Sequence, residues 1–193
     1  MNSMFKAIII GGSAGSFHVV ARILSALDGS FPVPVLLILH RLKHVRSGFA
    51  EALSIKSSIP VREVEDKEYI SPGYAWLAPS NYHLYVEPGN RFALSTEPQV
   101  NHSRPSIDLS FFSAAKAYRQ NLAGIILSGA NRDGAGGLKM VGDMGGTTIV
   151  QDPAECQVPV MPMESMKLTA VHHVYNTGQI ISFLKKIRQN AQN

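Results

Sequence analysis

The chain has 193 residues, of which 45% are hydrophobic and 17% charged, with 18 Lys and Arg against 14 Asp and Glu and a formal net charge of +4. That composition suits one globular domain with a sizeable core, and no stretch approaches the roughly 18 uninterrupted apolar residues of a membrane span. A single cysteine, Cys156, rules out an internal disulfide and any cysteine-rich metal site, and the basic residues are scattered without an aromatic-laced run of the kind that binds nucleic acid.

The first element is Ala7-Ile8-Ile9-Ile10, an apolar run with strand propensity, which enters Gly11-Gly12-Ser13-Ala14-Gly15 and then a helical pattern from Ser16. Strand, sharp turn and helix with a serine at the bend fit G-x-S-x-G, so Ser13 is a candidate nucleophile. A phosphate-gripping turn is the plain alternative, but the G-x-G-x-x-G spacing is missing. Phe17, Val20, Ala21, Leu24 and Leu27 line one helix face, and Val33 to Leu39 reads as a strand buried on both sides that ends at His40.

A helix is expected from Ser47 to Lys56 and a short strand from Val61 to Val64. Between the turn signals Ser71-Pro72-Gly73 and Glu87-Pro88-Gly89-Asn90 and just beyond them, Tyr74–Leu77, His83–Val86 and Arg91–Leu94 predict an antiparallel hairpin at one sheet edge. Trp76, Tyr82 and Tyr85 there are either substrate contacts or packing, with packing the more common role. Asn101 to Pro105 is a polar loop leading to a helix with Pro105 near its first turn. Leu122 to Leu127 is another buried strand, and it empties into Ser128-Gly129-Ala130-Asn131-Arg132-Asp133-Gly134. A helix from Leu138 to Met144, a strand from Thr147 to Val150 closed by Gln151-Asp152-Pro153, a short helix near Met161-Pro162 and a last helix marked by Ile180, Ile181, Leu184 and Ile187 complete the chain.

Alternating strands and helices predict an α/β, doubly wound, mostly parallel sheet with helices on both faces. Ser13, His40 and Asp133 each follow the C-terminal end of a different strand, where such sheets gather their ligands. A hydroxyl nucleophile, an imidazole base and a carboxylate that fixes its tautomer make a complete hydrolytic set. Asp152 is the rival partner for His40. His40 and His44, four apart, allow a metal site, but no H-E-x-x-H accompanies them. His83 and His102 read as structural or peripheral, with His102 in a loop that could approach substrate, and His172-His173 reads as a solvated edge pair sooner than a ligand pair.

The ordered motifs resemble those of a known family, the catalytic domain of the chemotaxis receptor methylesterase, also called protein-glutamate methylesterase and glutamine deamidase. Ile10 to Ser16 is similar to its I-G-A-S-T-G-G, Leu39-His40 to its Q-H, and Pro72 to His83 to its P-G-x-x-Y-I-A-P-x-x-x-H. Arg104 to Asp108 resembles R-P-S-V-D, Leu127 to Ala135 resembles L-T-G-M-G-x-D-G-A, and Thr148 to Asp152 matches T-I-A-Q-[ND]. The resemblance places the catalytic serine, histidine and aspartate on Ser13, His40 and Asp133, and the oxyanion donors on backbone N–H groups near Ala14 and Ala130.

It implies a cytoplasmic serine hydrolase that removes methyl esters from glutamate side chains of chemoreceptors, releases methanol and deamidates some glutamines, with no cofactor or metal. Its expected partners are the cytoplasmic part of methyl-accepting receptors and a separate response regulator, with no nucleic acid and no membrane insertion. The chain departs from the family at Ala14, Ser16, Arg41, Ala130 and Val160, so a catalytically weak relative that binds receptor or signalling partners is the second expectation. Met1 stands just before the first strand, so no fused receiver domain is expected to control the enzyme.

Overall fold

The structure, a computed structural model, describes residues 5–29, 31–41 and 48–191. Its strands β1 (Ala7–Gly12), β2 (Val35–Leu39), β3 (Val61–Glu63), β4 (Ala75–Leu77), β7 (Leu122–Ile126), β8 (Thr147–Gln151) and β9 (His173–Tyr175) form a seven-stranded sheet in the order β3-β4-β2-β1-β7-β8-β9. Every pairing in it is parallel. The remaining strands, β5 (His83–Glu87) and β6 (Arg91–Ser95), form the antiparallel hairpin.

Strands buried on two sides need apolar residues at successive positions, and side chains that alternate between faces then feed two cores. Ile8 and Ile10 pack with Val20 and Leu24 of α1 (Ser16–Ala26), Leu53 of α2 (Phe49–Lys56) and Leu184 of α6 (Thr177–Ala191). Ala7 and Ile9 turn the other way, toward Phe111 of α3 (Ile107–Tyr118), Leu138 of α4 (Ala135–Asp143) and Met161 of α5 (Val160–Leu168). Side chains such as Phe111, fully buried, each contribute roughly 1.5–3 kcal/mol by leaving water.

Three expectations change in detail. Ala75–Leu77, grouped by its composition with the hairpin, instead inserts into the parallel sheet between β3 and β2. The hairpin forms its own two-stranded sheet, bonds through Phe92 to the backbone of Lys67 and Glu68, and packs on α3 through Leu84, Val86 and Phe92. Pro105 precedes the N-cap Ser106 of α3, outside the helix, and the Arg104–Pro105 peptide is cis. The edge strand β9 falls where the sequence shows only a solvated histidine pair.

The first crossover runs from β1 to β2 on one side, while β7 lies on the other side of β1. The sheet therefore reverses its winding between β1 and β7, which opens a crevice at their C-terminal ends.

Candidate active site

Ser13 stands at that crevice because β1 stops on two glycines. A Cβ at Gly12 would lie 2.7 Å from both Cβ and Oγ of Ser16, so only glycine lets the first turn of α1 fold back this closely. Gly15 caps α1 with φ of 82°, a left-handed conformation that glycine adopts without penalty. The Ser13 N–H donates to the Ser128 carbonyl at 2.9 Å, and its carbonyl accepts from the N–H and hydroxyl of Ser16 at 3.0 and 2.7 Å. Ser16, a departure from the family glycine, thus braces the Ser13 backbone. The half-buried Ser13 hydroxyl makes no hydrogen bond among the described residues.

His40 is fixed beside it. Leu39 pairs with Gly12 across β2 and β1, and the His40 N–H donates to the Gly12 carbonyl at 3.0 Å. Its imidazole, with 13% of the side chain exposed, places Nε2 2.9 Å from Oδ2 of Asp133. A neutral imidazole donating to Asp133 through Nε2 has the lone pair on Nδ1. The hydroxyl of Ser103 lies 3.5 Å from Nδ1.

Asp133 is fully buried and heavily hydrogen-bonded. Besides His40, Oδ2 accepts the Ile107 N–H at 2.7 Å, while Oδ1 accepts the Ser106 hydroxyl at 3.0 Å, the Asp108 N–H at 3.1 Å and the Asn101 amide at 3.2 Å. Two of these donors are first-turn N–H groups of α3, whose positive end favours an anion. Burial alone would push this carboxyl up, but the hydrogen bonds from His40 and Ile107, the His40 charge and the Asn101 amide outweigh it and hold the group below the usual carboxylate range.

The glycine-rich loop after β7 supplies the remaining wall. The Ser128 hydroxyl donates to the Ala14 carbonyl at 2.7 Å, its N–H is taken by Oε1 of buried Gln151 at 3.0 Å, and Gly129 exchanges backbone hydrogen bonds with Val158 and Met161. Ala14 and Ala130 are exposed, and neither backbone N–H has a partner among the described residues.

Other residues weighed from sequence lie elsewhere. Asp152 caps the Ala154 N–H at 2.9 Å beyond β8 and does not reach His40. Arg41 turns away, donating to the Ala78 carbonyl at 2.9 Å and to Glu63 at 2.6 Å. His83 is buried, accepting the Ser106 N–H at 3.1 Å and contacting the Pro98 carbonyl at 3.0 Å, so it braces the cap of α3. Trp76 is core, Tyr85 donates to Glu97, and Tyr82 is exposed. His102 is exposed on a hydrogen-bonded turn, and His44 lies outside the described residues. Among the described residues no cluster of three His, Cys, Asp or Glu could hold a metal, and no helix is long and apolar enough to cross a membrane. Sequence reasoning missed Asn101 and Ser103, whose approach to the site comes from a turn that no motif announces.

This chain is 37% identical over 186 residues to a putative protein-glutamate methylesterase/protein-glutamine glutaminase of Leptospira interrogans, covering 96% of each. It is 35% identical to protein-glutamate methylesterase/protein-glutamine glutaminase 4 of Geobacter metallireducens and to the protein-glutamate methylesterase FrzG of Myxococcus xanthus, and spans about half of each, 53% in both cases. The crystal structure of the Thermotoga maritima CheB methylesterase catalytic domain superposes with a TM-score of 0.90 at 29% identity, covering 96% of this chain and 98% of that one. The CheB methylesterase family model matches residues 8–184, and the chain belongs to that family of hydrolases.

Proposed function

We propose that this protein hydrolyses γ-methyl esters of glutamate side chains on chemoreceptors, and that the same site deamidates glutamine. The observation that carries the reading is the 2.9 Å contact between His40 Nε2 and the buried Asp133 carboxylate, which leaves Nδ1 free to act as a base on a residue whose backbone is bonded to Gly12, next to Ser13. In the reaction, Ser13 Oγ attacks the γ-carbonyl as His40 Nδ1 takes the hydroxyl proton. The Ala14 and Ala130 N–H groups receive the oxyanion. Collapse expels the methoxide, which leaves as methanol with the proton from His40. Water then attacks the acyl-enzyme, passes a proton through His40, and frees the glutamate carboxylate and Ser13. With glutamine the leaving group is ammonia, and the later steps are the same.

A second reading, a docking module with little turnover, draws on the absence of a hydrogen bond from the Ser13 hydroxyl among the described residues. One experiment separates the two. Receptor peptides carrying a glutamate methyl ester or a glutamine are incubated with the wild type and Ser13→Ala, and the products are weighed by mass spectrometry. Methyl loss or conversion of glutamine to glutamate by the wild type, reduced by several orders of magnitude in the variant, supports the hydrolase. Equal, slow conversion by both supports docking.

A further inference from the structure

Asn101 occupies a two-residue turn closed by Val100 and Ser103, which exchange backbone hydrogen bonds of 3.2 and 2.9 Å. Both central residues, Asn101 and His102, have positive φ of 50° and 60°, as a type I′ turn demands. The turn delivers the Asn101 amide to the two carboxylates behind the imidazole. Nδ2 donates to Asp108 Oδ2 at 2.9 Å and to Asp133 Oδ1 at 3.2 Å, one amide hydrogen to each. Among the described residues no other side chain bonds to both.

The need for such a bridge follows from electrostatics. Asp108 is held in place by its other oxygen, which accepts the Gly134 and Gly137 N–H groups at 3.0 and 2.7 Å. Its charge repels Asp133 in surroundings that screen poorly, and repulsion between paired carboxylates favours protonating one or moving it away. Either change would loosen the acceptor on His40. We propose that Asn101 is a positioning residue for hydrolysis, holding Asp133 on His40 Nε2 against the repulsion of Asp108. The inference rests on the hydrolase reading above.

Asn101→Gly is the variant of choice, since glycine keeps the left-handed backbone and removes only the amide. With p-nitrophenyl acetate as the probe, kcat falls about tenfold, the loss expected for a hydrogen bond to a charged group, and KM changes by less than about twofold. Asp108→Asn in the same background recovers most of that loss. Its remaining oxygen still caps Gly134 and Gly137 while the charge is gone. In the wild-type background the same substitution sets an amide donor against Asn101 and slows the enzyme. Wild-type kcat in Asn101→Gly, or no recovery in the double variant, overturns the proposal, because a residue that merely shapes the turn is not rescued by removing a charge.

The downfield proton resonance of the His40–Asp133 hydrogen bond gives a readout that does not depend on turnover. It shifts in Asn101→Gly and returns in the double variant, and an unmoved resonance overturns the proposal. If the wild type turns over no faster than Ser13→Ala, the hydrolase reading fails, and the resonance still decides the role of Asn101. Should Asn101→Gly not fold, Asn101→Asp tolerates the same backbone and replaces the donors with an acceptor. It must be slower than wild type, and equal rates overturn the proposal.

Discussion

Asp108 and Asp133 each cap the helix that the other introduces. Asp133, just before α4, accepts the first N–H groups of α3, and Asp108, in the first turn of α3, accepts the Gly134 and Gly137 N–H groups where α4 begins. The exchange locks two helix N-termini together directly behind His40. Their proton equilibria are pushed in opposite directions. Hydrogen bonds hold Asp133 low against its burial, whereas burial, with the neighbouring Asp133 charge, raises Asp108 against the N–H groups that it accepts.

Replacing Asp133 with Asn separates its charge from its shape. The amide presents a donor where acceptors are needed and no longer selects the imidazole tautomer with Nδ1 free, so kcat falls by about 10⁴-fold, as for the orienting carboxylate of other triads. Because the folded value of Asp133 lies below the unfolded one, its contribution to stability is complete above the unfolded carboxylate range and is lost as pH falls through the folded value. Asp108 has the opposite sign: its contribution is present at acid pH and is lost as pH rises through its raised value. Urea unfolding at a series of pH values checks both, with Asp133→Asn expected to lose part of the acid-side slope.

The Ser103 hydroxyl faces His40 Nδ1, the nitrogen that the proposed mechanism assigns to the Ser13 proton. At 3.5 Å the contact is weak, so Ser103→Ala frees Nδ1 at little structural cost. The rate at which a fluorophosphonate labels Ser13 should rise about threefold with an unchanged melting temperature. Slower labelling would mean that Ser103 supports the base.

The sheet is readable because fully buried strands appear as unbroken apolar runs, and the contact of His40 with Asp133 because both lie beyond the C-terminal ends of such runs, His40 directly and Asp133 in the glycine-rich loop after β7. Ala75–Leu77 was misgrouped, since a three-residue apolar segment carries no record of which strand it pairs with. His173–Tyr175 was missed for a related reason: an edge strand hydrogen-bonded to one neighbour needs no hydrophobic period. Asn101 left only a faint trace, a residue that tolerates left-handed backbone in a polar loop just before a helix. Its bond to Asp133 spans 32 positions and exists only after α3 and α4 have docked.

The docking of α3 on α4 depends on Gly137. A Cβ there would lie 2.5 Å from the Phe111 Cβ and 3.2 Å from both Cα and O of Asp108, atoms that cannot swing aside. Gly137→Ala should therefore cost about 1–3 kcal/mol of stability in urea titration and lower kcat by lengthening the Asp108 cap. Gly142→Ala, in the same helix, meets only the Thr148 Cγ2 at 3.5 Å and should be neutral or stabilising by up to about 1 kcal/mol. Equal effects at the two positions would show that helix propensity, not the close approach, sets the cost.

Cys156 offers a check on which side chain reacts. Burial, with the charges of Glu155 and Asp152 added, pushes its thiol up to about 11, and Sγ lies 3.4 Å from the Asp152 carbonyl. The thiolate is the reactive form, so iodoacetamide at pH 8 should modify Cys156 at least about tenfold more slowly than free cysteine. A fluorophosphonate should meanwhile label Ser13 at the same rate in the wild type and in Cys156→Ser, and the unlabelled variant should be as active as the wild type. Rapid alkylation of Cys156 in the folded protein, read by mass spectrometry of the intact chain, would show that its surroundings do not hold the proton on sulfur.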